Sequence, residues 1–177
     1  MLHNTPSATT EAKNQRKFIG YRFVATGVFS YEFYEDEAKV CAVSSVVIPS
    51  PPVRISGLGL NWRSDFDQYS TIFPGLTRKV IDEANGETVF SLTYDSSNEY
   101  TLNESVSVFC YHEVYKFYLD GKVIATVKKF DGDTKDLKMP TKQFYDCTPY
   151  FDVTADSGID NETLAGILSF PMLKFAI

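Results

Sequence analysis

A chain of 177 residues, 44% hydrophobic and 15% aromatic, carries enough apolar material for one domain with a real core, which excludes general disorder. Its net charge of −6 and pI near 4.9 exclude a nucleic-acid binder, whose affinity comes largely from neutralising phosphates. The same acidity opposes an anionic membrane except where a local patch reverses the sign.

The opening "MLHNTPSATTEAKNQRK" is polar and Ser/Thr/Asn-rich, and residues 1–16 are expected to form a loose tail ahead of a single domain, 17–177. It has no apolar h-region of a secretory leader, and no run reaches the roughly 20 apolar residues of a membrane-spanning helix. A cytoplasmic protein without a transmembrane segment is the expectation. Three cysteines, Cys41, Cys110 and Cys147, are too few and odd in number for a disulfide scaffold, so buried reduced thiols are expected.

Structure is predicted to begin at "FIGYRFVATGVFSYEFY", whose Tyr, Phe and Val suit strands. "FSYEFYEDEAKVCAVSSVVI" then reads as a hairpin turning at Glu35-Asp36-Glu37. "PSPPVRISGLGLNW", Pro49 to Trp62, reads as a linker, stiff at its prolines and supple at Gly57 and Gly59. "RKVIDEANGETVFSLTY" is a second hairpin around Asn85-Gly86. "VYKFYLDGKVIATVKKF" is a third, and Asp120-Gly121 supplies the positive φ that a two-residue turn demands. A two-residue loop sets Leu119 against Lys122, Phe117 against Ile124 and Tyr115 against Thr126. Both faces of this hairpin are then apolar enough to predict a cover on each. "KFDGDTKDLKMPTKQFYD" is a polar loop expected to cross the sheet rim.

The period changes at "DSGIDNETLAGILSFPMLKFAI". Asp160 is a credible N-cap, followed by an apolar run whose only charge after Thr163 is Lys174. A helix apolar on all sides is normally enclosed by protein. Pro171 lacks an N–H and crowds the carbonyl of Ile167, which predicts a kink or an end there.

Candidate chemistry is sparse. Cys110 and His112 would share one face of an extended strand, as metal coordination or a nucleophile–base pair requires, with Cys147 as a third ligand. No fourth ligand stands at a recognisable spacing, since His3 lies in the tail, and the better reading is a buried thiol beside a hydrogen-bonded histidine. Asp131, Asp133 and Asp136 alternate like a calcium loop but lack its Gly and distant Glu. Gly57-x-Gly59 lacks the third glycine of a phosphate loop. Asp65 and Asp67, near Trp62 and Arg63, are the residue types for acid–base work on a sugar, yet read better as exposed charges beside a rim aromatic. No catalytic site, metal or cofactor is assigned, and the chain is expected not to be an enzyme. Lys128, Lys129, Lys135, Lys138 and Lys142 form a local positive stretch suited to a phosphorylated headgroup, with Asp131, Asp133 and Asp136 interleaved.

Hairpins such as "RKVIDEANGETVFSLTY" and "YKFYLDGKVIATVKKF", ending in the apolar "ETLAGILSFPMLKFAI", resemble the tubby C-terminal-like superfamily. That group includes the LURP-one-related proteins and, by analogy, the phospholipid scramblases. The resemblance covers roughly residues 18 to 177. It implies a mainly β fold: a closed antiparallel barrel of about twelve strands around the hydrophobic C-terminal helix. A β-sandwich with one packed helix is the alternative that writes nearly the same pattern. The animal members' basic pocket for phosphoinositides has no residue-by-residue match here, nor do the scramblase calcium and lipidation segments. The expectation that follows is a non-enzymatic binding module for an anionic lipid headgroup or a small ligand, with the five lysines as its site. The alternative is a structural or protein-interaction domain with a protein partner.

Overall fold

Residues 14–25, 28–46, 52–67, 73–131 and 148–175 are described by the structure, a computed structural model. Twelve antiparallel strands close into a barrel in which every strand pairs with its sequence neighbours and the first pairs with the last. In chain order these are β1 (Gln15–Ala25), β2 (Val28–Glu35), β3 (Ala38–Val46), β4 (Pro52–Gly57), β5 (Leu60–Asp67) and β6 (Thr77–Asp82). They continue as β7 (Thr88–Ser96), β8 (Glu99–Leu102), β9 (Val106–Tyr111), β10 (Val114–Leu119), β11 (Lys122–Lys129) and β12 (Thr148–Asp156). One helix, α1 (Asn161–Phe175), follows the last strand. The sandwich alternative is thereby set aside. Closure leaves no sheet edge to template another chain.

Alternation builds the barrel interior. Val106, Val108 and Cys110 of β9 are buried while Ser107, Phe109 and Tyr111 are exposed, the period-2 signature of a wall with one wet side. The inward residues close on α1, whose every residue from Leu164 to Leu173 is buried. The helix touches β3, β4, β7 and β11, strands spaced around the ring, so the lumen surrounds it. Phe170 is its central knob, packed edge-on against Tyr100, Tyr115 and Phe117 with ring centroids 5.1, 5.3 and 5.5 Å away. Gly166 passes Leu102 so closely that an added Cβ would lie 2.9 Å from its Cδ1. The helix starts where expected, with Asp160 Oδ1 accepting a 2.7 Å hydrogen bond from the Thr163 N–H. Asp160→Ala removes that acceptor and is expected to cost about 1 kcal/mol in urea unfolding, whereas Asp160→Asn should cost much less. An Ala variant as stable as the parent would show that the cap is dispensable.

Several expectations are corrected. The helix does not end at Pro171 but runs on to Phe175, and buried Phe170, Met172 and Leu173 on both sides of the proline offset its missing bond. Of Pro49–Trp62, read as a linker, the described residues are strand instead, since Pro52–Gly57 and Leu60–Asp67 are paired and joined at Leu58-Gly59. Gly57, Leu58 and Gly59 have φ of 115°, 53° and 78°, so the glycines serve a tight turn. β1 begins at Gln15, inside the stretch read as tail, and Arg16 is held there by a 2.7 Å ion pair with Glu35.

The third hairpin turns at Asp120-Gly121 as read, with φ of 50° and 74°. Its register, however, slips beyond the turn. Tyr118 faces Val123, but Phe117 faces Ala125 and Tyr115 faces Val127, because Ile124 is an extra residue in a β-bulge. The bulge buries Ile124 and Ala125 together and keeps Val127 inward. The outer face is not covered as expected: Lys116 and Val123 are exposed, with Val114 and Tyr118 partly so.

Candidate functional site at the barrel mouth

In an up-and-down barrel, successive hairpin turns alternate between two ends. The C-terminus of α1 points to the end formed by the β9–β10 turn, the start of β6 and the junction of β11 with β12. Lys128 and Lys129 end β11 there, on opposite faces of the strand. Lys128 is exposed on the outer wall, level with Asp152 of β12. Lys129 turns to the mouth, donates a 3.1 Å hydrogen bond to Glu113 and lies 5.2 Å from the centre of the Tyr150 ring. Its ammonium pKa is raised, first by the bond to Glu113 and then by Tyr150. Lys135, Lys138 and Lys142, with Asp133, Asp136 and Cys147, lie outside the described residues.

The sequence reading missed the groups that assemble around Lys129. Arg22 of β1 lies 5.5 Å from the Tyr150 ring, so two cations address one phenol. Tyr150 in turn packs on Tyr31 at 5.4 Å and on Phe151 at 4.8 Å. It reaches the interior through another bulge: Gly20 pairs with Phe151, yet Tyr21 pairs with Pro149, leaving Tyr150 without a register partner. Lys174, in the last turn of α1, lies 4.9 Å from the Tyr115 ring and suits the negative end of the helix dipole. Arg22 had a visible signal, since it keeps the inward parity of Phe18 and Gly20. Tyr150 had none.

Burial governs the acidities here. It raises the Tyr31 and Tyr115 hydroxyls above the ordinary range for phenols, aided by Tyr150 and Cys110 respectively. Tyr100 is raised to about 12, again chiefly by burial. Cys41 is pushed up to about 12 and Cys110 to about 11, burial being the cause in each and Lys174 partly offsetting it for Cys110. In the unfolded chain these thiols ionise near their ordinary 9.0, so above that pH the folded state retains more protons than the unfolded one. Their contribution to stability is therefore complete below about pH 9 and is lost as the pH climbs toward about 12. The urea midpoint is expected to fall between about pH 8 and about pH 11, with Cys41 and Cys110 unmodified by iodoacetamide in the native protein. A flat midpoint, or rapid native labelling at both positions, would contradict their enclosure.

The other candidates separate. Cys110 points inward, but β9 ends at Tyr111 and His112 sits exposed in the next turn at φ 52°, its ring on Tyr111. The shared face required for coordination or a nucleophile–base pair is lost. Among the described residues no cluster of three or more His, Cys, Asp or Glu side chains is placed to hold a metal ion. Trp62 is not a rim aromatic; it is buried against Phe90 at 6.0 Å. Asp65 is exposed and accepts the backbone N–H of Lys79, while the Asp67 side chain lies outside the described residues. No described helix is long and apolar enough to cross a membrane. No family model, curated protein or solved structure matches this chain.

Proposed function

We propose that the chain is a non-enzymatic binding module whose mouth-side rim takes an anionic lipid headgroup at the cytoplasmic leaflet. One observation carries the reading: exposed aromatic and cationic side chains occupy the same end of the barrel. Phe73, 62% exposed, precedes β6, and Tyr111, 65% exposed, ends β9, with Lys128 and Lys129 at the end of β11. Aromatics at the depth of the headgroups and lysines reaching the phosphates form an interfacial pairing, in which the headgroup competes with Glu113 for Lys129. The Lys129–Tyr150 contact fixes one cation at that rim.

The test is co-sedimentation with phosphatidylcholine vesicles containing phosphatidylserine or a phosphoinositide. Binding is expected to weaken about tenfold or more in Lys128→Ala/Lys129→Ala and to fall steeply with salt. Absence of binding to either anionic vesicle, or equal binding by the double variant, would remove the lipid reading.

A protein-interaction role is favoured by a different feature, a wall groove of about 500 Å³ between Phe109 and Tyr118 with Asp95 and Glu99 beside it. Light scattering that finds a strict monomer, together with no loss of partner capture on Phe109→Ser, would count against that role.

A further inference from the structure

At the end opposite the mouth, a cleft of about 810 Å³ opens beside the start of α1. Its lining mixes apolar and polar groups: Leu119, Val123 and Ile124 come from the β10–β11 hairpin, and Asn103, Asp156 and Asp160 are among the polar residues around them. Local structure explains the hairpin's apolar share. The bulge that makes Ile124 an extra residue buries it at the cleft, where regular pairing would have set it opposite Phe117. Leu119 continues the inward parity of Tyr115 and Phe117 but stands at the rim; it is 39% exposed and Val123 is 41% exposed. Pairing of Ala125 with Ala155 carries Asp156 to the level of Ile124, so polar and apolar groups face a common space.

The volume is that of a small-molecule site, and the lining restricts the chemistry of its occupant. Lys122 is the one cationic side chain among the described lining residues, against the carboxylates of Asp156 and Asp160. An anionic head would meet two like charges, whereas a hydrogen-bond donor would meet carboxylate and amide oxygens. We propose that this cleft binds a small amphiphile with an apolar body and a donor head that carries no negative charge. The body lies on Leu119, Val123 and Ile124, and the head is held by Asn103, Asp156 and Asp160. This site is independent of the lipid reading and prefers the opposite charge.

The experiment is an amide chemical-shift titration of the full chain with 2-phenylethanol, 2-phenylethylamine and phenylacetate. The alcohol and the amine are expected to give saturable shifts concentrated on residues 119–124 and 156–163. Phenylacetate is expected to bind at least about tenfold more weakly. Leu119→Lys/Val123→Lys alters only partly exposed positions, preserves spectral dispersion and should weaken the alcohol about tenfold or more. Asp156→Asn/Asp160→Asn keeps an N-cap acceptor and should raise phenylacetate binding. No saturable shift, shifts centred elsewhere, parity of phenylacetate with the alcohol, or undiminished binding by the lysine variant would each overturn the assignment.

Discussion

Phe170→Ala is expected to lower the free energy of unfolding by about 4 kcal/mol or more. Removing a fully buried phenylalanine ring typically costs about 3 to 5 kcal/mol, the lost transfer free energy plus a cavity that the surroundings close only in part. Two features place this site toward the upper end. The ring makes three edge contacts, to Tyr100, Tyr115 and Phe117, each of a geometry worth roughly 0.5 to 1.5 kcal/mol beyond area burial. The wall around it is a hydrogen-bonded cylinder, which collapses onto a void less readily than two loose layers do. In a chain of this size the loss corresponds to a fall in Tm on the order of 10 °C. Phe170→Leu, which keeps most of the volume, should cost about half as much. A loss under about 1 kcal/mol in the alanine variant would mean that the barrel does not grip its helix.

Gly57→Ala is the second large effect, and its origin lies in the backbone. At φ 115° an L side chain is already strained, and the added Cβ would overlap the carbonyl oxygen of Val40 and lie 2.9 Å from the Cys41 Cα. That carbonyl accepts the Leu58 N–H at 3.1 Å, so moving it away disturbs the register that seats β4 on β3. Strain of about 1 to 3 kcal/mol and overpacking of similar size give an expected loss of about 2 to 4 kcal/mol. Gly59→Ala is the internal control. Its φ of 78° is also left-handed, but nothing lies within 4 Å of the added atom, so only the conformational penalty of about 1 kcal/mol should appear. Equal losses at the two positions in urea unfolding would refute the clash.

The difference between these two glycines shows what a one-dimensional reading reaches. Asp120-Gly121 and Asn85-Gly86 announce their turns because the positive φ is written into the residue type. The helix announces its enclosure because no side of it is polar. Pro49–Trp62 misled because its proline at Pro52 sits at a strand's first residue, where the ladder tolerates it, while the reading gave that residue the weight of a break. Bulges were invisible for a deeper reason. One extra residue preserves composition and apolar density while inverting every subsequent parity, and only the partner strand reveals where the inversion falls. Ile124 and Tyr150 are both such residues, and each stands at one of the two ends where a ligand site is proposed. Lys128 and Lys129 were legible as charge but not as geometry, since neighbours on a strand point apart. Arg22 and Tyr150, drawn from β1 and β12, meet because the ring closes.

The pairing of β1 with β12 also bears on synthesis. During translation, Phe18 opposite Val153 has no neighbour on that side until some 130 later residues have been made, and α1 emerges after both. The nascent sheets must therefore wait, hollow and unzipped, for material still inside the ribosome. A barrel whose filling is made after its wall is expected to lean on holding chaperones while all twelve strands stand ready without it.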